Sequence, residues 1–174
     1  MTSSVTDRPV VSRYPTTRAG GLLVALLGLV VLASAISGAL APERAPMSGL
    51  FFPGLMGSTA AMLLARRRLR TGVPSPRQRR SLNIGFAVEG IGLVVAFALL
   101  HDAAPRTLWL AVLLVVGLHF LPMRAAHGPL IVVLGLICIA AAALGLALPA
   151  LPFLAVAVVD GTAKTAVGAR MLLR

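Results

Sequence analysis

The sequence is poor in the groups on which enzymes rely for chemistry. Its 174 residues include one cysteine, three histidines and five carboxylates. The lone Cys138 lies inside an apolar run, which excludes an intramolecular disulfide and a CxxC metal or redox pair and leaves it as a small core residue. No GxSxG, HExxH or phosphate-binding loop occurs, and no two carboxylates stand close together, so neither an activated nucleophile nor a paired acid and base is on offer. His119 is the only histidine well within an apolar run, which leaves two-histidine haem ligation without residues. The expectation is a protein with no enzymatic activity, no cofactor and no metal.

What the chain has in abundance is apolar surface. Hydrophobic residues make up 58% and charged residues only 12%, against the roughly 25% charged residues of an ordinary soluble domain. Mean hydropathy is +0.94. About 20 apolar residues suffice to cross the roughly 30 Å hydrocarbon core of a bilayer. Runs of that order recur from Ala19 to Ala41, Met47 to Ala65, Leu82 to Leu100, Leu108 to Met123, Leu130 to Leu148 and Leu151 to Leu173. This predicts an all-α, polytopic transmembrane bundle of about six helices arranged as three hairpins. Residues 1–18 are polar and broken by Pro9 and Pro15, which predicts a cytoplasmic tail, and 66–81 form a basic hinge carrying Pro74 and Pro76. Ala39-Leu40-Ala41 resembles a signal-peptidase site, but the preceding apolar stretch exceeds a signal h-region, so a retained helix is expected.

Basic residues set the orientation, because loops rich in arginine and lysine stay in the cytoplasm. With both termini inside, fourteen of the sixteen basic residues are cytoplasmic and only Arg44 and Arg106 lie outside. Arginine is used almost to the exclusion of lysine, as in a GC-rich bacterial genome, and the expected location is a bacterial plasma membrane. A net charge of +11 would suit nucleic acid, yet aromatics make up only 5% and no base-stacking pattern accompanies the basic residues. Arg66, Arg67, Arg68, Arg70, Arg77, Arg79 and Arg80 instead gather at the membrane edge, where each attracts anionic lipid headgroups by about 1 kcal/mol. Lipid is the partner expected; protein partners and oligomeric state stay open.

Four ionisable residues fall within the apolar runs: Glu89, His119, Asp160 and Lys164. Each costs roughly 2.5 to 3.5 kcal/mol on insertion scales and asks for a partner. Asp160 and Lys164 are i,i+4 neighbours suited to an ion pair, and Glu89 and His119 lie at similar depth on successive helices, so a second pair, within hydrogen-bond reach or through one water, is expected. The simplest reading is that the four satisfy one another and fasten the bundle. The functional alternative is proton or solute coupling through Glu89, His119 and Asp160 in a small transporter or channel. His101, Asp102 and His127 are expected to face water, and Trp109 to anchor at the interface.

Small residues at Ala157, Gly161, Thr165 and Ala169, and at Gly57, Ala61 and Ala65, predict close helix packing. Phe52-Pro53-Gly54 offers either a kink or a helix start. The stretch Gly117-Leu118-His119-Phe120-Leu121-Pro122, with Glu89 in the preceding helix, resembles uncharacterised six-span bacterial membrane proteins. That resemblance implies a similar bundle and no particular activity.

Overall fold

Backbone amides in hydrocarbon have no water to bond, so an apolar run there satisfies them within a helix. The computed structural model describes residues 14, 17–40, 47, 49–66, 68, 69 and 73–174. Its helices are α1 (Thr17–Leu40), α2 (Phe51–Ala65), α3 (Pro76–Leu100), α4 (Pro105–Phe120), the short α5 (Arg124–His127), α6 (Pro129–Ala147) and α7 (Phe153–Leu172). No strand occurs among the described residues. Helices α1, α3 and α6 are long and apolar enough to cross a membrane, whereas α2 and α4 are apolar but shorter. Helix α7 has 20 residues and carries the charges of Asp160, Lys164 and Arg170. The protein is a membrane-type helical bundle.

Local signals decide where helices begin. Pro76, Pro105 and Pro129 stand in the first turns of α3, α4 and α6, where a missing amide proton breaks no helical bond. Ser75 and Gln78 form a reciprocal cap: the Ser75 hydroxyl accepts from the Gln78 amide at 3.3 Å, and the Gln78 side-chain oxygen accepts from the Ser75 amide at 2.9 Å. That cap starts α3 six residues before Leu82 and draws Arg77, Arg79 and Arg80 out of the hinge into the helix. Pro53 falls in the first turn of α2, so this segment is a helix start. Between α5 and α6, Gly128 takes φ = 87°, a left-handed conformation that favours glycine.

Each sequential hairpin, α1 with α2, α3 with α4 and α6 with α7, is in contact, but the largest interfaces join different hairpins. Helix α1 lies along α7, and α4 lies along α6. On α1 the buried positions Gly21, Val24, Gly28, Val31, Ala35 and Gly38 alternate steps of three and four. Ala157, Gly161, Lys164, Gly168 and Met171 do the same on α7. This is the heptad spacing of paired helices, with glycine where the backbones meet. A Cβ added at Gly28 would lie 2.5 Å from the Gly161 carbonyl oxygen, and one at Gly168 would lie 2.3 Å from the Ala25 amide nitrogen. Gly21 meets the far end of α7 at Leu172, so the two helices run antiparallel. Between α4 and α6 the approach is made by Gly117 and Gly135, the latter against the Gly117 carbonyl oxygen.

The expected row on α7 holds through Ala157, Gly161 and Thr165, the last two lying against Gly28, and then passes to Gly168 instead of Ala169 because interfacial spacing alternates between four and three. On α2 the approach is made by Gly54 against Val30, whereas Gly57 is exposed with nothing within 4 Å of its missing Cβ. At the opposite end from α5, Arg106 crosses from α4 to the carbonyls of Gly145 at 2.7 Å, Leu151 at 3.0 Å and Leu148 at 3.3 Å. One guanidinium thus satisfies acceptors left open where α6 ends and the chain turns into α7.

A side chain at Gly168 is therefore expected to force α1 and α7 apart. Gly168→Ala should destabilise the folded bundle by about 1 to 3 kcal/mol through overpacking, despite alanine's higher helix propensity. Gly57→Ala, with open space, should be neutral or stabilising. Thermal unfolding in detergent, followed by circular dichroism, separates the two; equal midpoints for both variants would refute the close seam.

Candidate intramembrane polar site

Helix α7 brings two charges into the bundle interior. Asp160 is 0% and Lys164 2% exposed, and Lys164 Nζ donates to Asp160 Oδ2 across one helical turn. Lys164 lies in sequence between Gly161 and Gly168, and the space left by those missing side chains is filled by α1 through Gly28, Leu32, Gly21 and Ala25. An isolated charge here would carry the full desolvation penalty, so each residue makes the other admissible. Asp160 Oδ1 is buried and accepts no hydrogen bond among the described residues.

Around this pair stand groups from three other helices. Cys138, 0% exposed on α6, lies beside Asp160 and Lys164. His119 is buried on α4, its ring 4.1 Å from that of Phe120, and its Nδ1 is buried without a hydrogen bond. Glu89 is half-buried on the stripe of α3 that carries Gly85 and Gly92, the two glycines against which α4 packs. Lys164 is near enough to act electrostatically on both Glu89 and His119. Glu89 and His119 make no direct hydrogen bond or ion pair with each other, and Lys164 is a neighbour of both. No group of three or more metal-ligating side chains occurs among the described residues.

The outlying candidates divide. His101 is exposed and sits 2.9 Å from Asp102, facing water as expected. Trp109 packs edge-on against Phe51 with ring centroids 5.0 Å apart, so it joins the N-terminal ends of α4 and α2. Arg66 and Arg68 are exposed after α2, and Arg77, Arg79 and Arg80 are exposed on the first turns of α3; Arg67 and Arg70 lie outside the described residues.

His127 departs from expectation. The α5 turn folds back onto the start of α1, and the imidazole occupies the space left by Gly20, whose added Cβ would fall 2.5 Å from Cε1. Its Nδ1 is buried without a hydrogen bond. Tyr14 closes over the neighbouring Gly128. The signal was present in the glycine pair Gly20-Gly21 beside a histidine at the turn, but only the folded chain brings them together.

Burial lowers the His127 pKa from 6.5 to about 4, since the charged imidazolium would lose its water. The unfolded chain therefore binds this proton at higher pH than the folded one. Stability from the neutral ring is fully present above pH 6.5 and is lost as pH falls toward 4. Thermal midpoints measured across this range should fall more steeply in wild type than in His127→Phe; parallel curves would contradict the burial of this ring.

No curated protein and no solved structure matches the chain. Residues 7–174 match a family of unknown function, DUF6609. Because that match spans nearly the whole sequence, the helical membrane bundle with its buried Asp160–Lys164 pair belongs to this family.

Proposed function

We propose that the protein is a non-enzymatic, accessory or structural membrane protein, in which the Asp160–Lys164 pair fastens helices. The observation that carries this reading is that both charges are removed from water and consumed by each other inside the bundle. A group that exchanges protons or solute with the cytoplasm needs access, and these two side chains have almost none. We further propose a bacterial plasma membrane, six spans and both termini cytoplasmic. Supporting this orientation, exposed Arg66, Arg68, Arg77, Arg79 and Arg80 gather at one end of α2 and α3, alongside the turn that holds Arg124 and the C-terminal Arg170. On this reading those arginines meet anionic headgroups. No nucleic acid is involved.

A second reading, a small transporter or channel, draws on one specific observation. Asp160 Oδ1 and His119 Nδ1 are buried without hydrogen bonds, and half-buried Glu89 lies within electrostatic reach of Lys164. Such a set could pass a proton from Glu89 inward when the bundle opens.

One variant series distinguishes the readings. Lys164→Met alone leaves a buried carboxylate and should destabilise by about 3 to 5 kcal/mol, whereas Asp160→Leu with Lys164→Met should restore near-wild-type stability. Proteoliposomes carrying an entrapped pH dye should show no flux above protein-free vesicles for wild type or the double variant. Wild-type flux that disappears in Glu89→Gln, with folding intact, would overturn the accessory reading in favour of transport.

A further inference from the structure

The first three turns of α3 carry a face that the bundle does not use. Pro76, Arg79, Arg80, Asn83, Ile84 and Ala87 recur at helical spacing and line an open groove of about 560 Å³. Arg79, Arg80, Asn83, Ile84 and Ala87 are all exposed, because α3 turns its other side to α4 and α5. The groove is polar at one end and apolar at the other. From Arg80 to Ala87 is about 10 Å along the axis, at roughly 1.5 Å per residue.

The polar end has a fixed donor. Arg79 Nε donates to the Pro74 carbonyl oxygen at 3.0 Å, which holds the plane of the guanidinium while its terminal nitrogens have no protein acceptor among the described residues. No carboxylate occurs between Glu43 and Glu89, so no acidic side chain of this stretch competes for Arg79 or Arg80. Asn83, one turn deeper, adds an amide that both donates and accepts. Below it Ile84 and Ala87 continue onto the exposed apolar surface of Ile91 and Val94, 67% and 70% exposed.

We propose that this groove binds one phospholipid with an anionic headgroup. Arg79, Arg80 and Asn83 hold the headgroup oxygens, and an acyl chain lies along Ile84 and Ala87. A free phosphate would use the charged end and leave the apolar end bare. A zwitterionic lipid would fill the apolar end and set its ammonium group against two arginines. An anionic phospholipid complements both ends at the depth where its headgroup meets its chains. This site rests on the proposed cytoplasmic placement of the arginines and adds to it a stoichiometry and a position.

The test is lipid retention by the full chain, purified from vesicles of phosphatidylcholine containing a minority of phosphatidylglycerol and examined by native mass spectrometry. Wild type should retain one phosphatidylglycerol per chain, and Arg79→Gln with Arg80→Gln should weaken retention about tenfold or more. Arg18→Gln with Arg174→Gln removes the same charge at exposed positions elsewhere and should leave retention unchanged. Ile84→Gln keeps both arginines and should also weaken it, which inorganic phosphate binding would not show. Equal loss in both arginine pairs, retention of the two lipids without preference, or displacement by inorganic phosphate with Ile84→Gln unaffected would each overturn the site. Alkaline carbonate extraction and a C-terminal reporter test the underlying placement separately. A chain that stays in the membrane with its C-terminus inside, yet shows no lipid preference, refutes the groove alone.

Discussion

The backbone of α1 lies directly against the backbone of α7, and most of the remaining architecture depends on that contact. Lipid tails are as apolar as leucine, so in a bilayer helices gain little from burying hydrophobic side chains and rely on close van der Waals packing. Glycine at Gly21, Gly28, Gly161 and Gly168 brings the main chains together where any Cβ would collide. The N-terminal and C-terminal helices are thus joined, and the first and last hairpins with them. Gly117 and Gly135 do the same for α4 and α6, and so bring the middle hairpin onto the last.

Close packing also removes two charges from water. Lys164 is buried on α7, and its ammonium reaches back one turn to Asp160. A wider interface would admit water; a fully apolar one would leave the lysine without a partner. Glu89 of α3 and His119 of α4 lie within electrostatic reach of Lys164, whose own charge is paired with Asp160.

Much of the bundle could be read from the chain because bilayer thickness imposes a length on apolar runs, and all six runs became helices of the bundle. Asp160 and Lys164 were legible as a pair because their spacing lies on one helix and owes nothing to tertiary structure. The seam was only partly legible: small residues were visible on α7, but choosing Gly168 over Ala169 requires knowing which face meets α1. The same limit applied to Gly54 and Gly57 on α2. His127 and Arg106 were misjudged or passed over for a related reason, since a polar residue at a helix end ordinarily meets water. Here Gly20 makes a space for one, and open carbonyls at the end of α6 attract the other.

The antiparallel glycine seam is the claim on which the rest stands, and solid-state NMR of the glycine-Cα-labelled protein in lipid bilayers tests it most directly. The account predicts through-space cross-peaks between Gly28 and Gly161 and between Gly21 and Gly168, pairs whose backbones touch but which lie more than a hundred residues apart in sequence. A helical protein that showed neither cross-peak would contradict it.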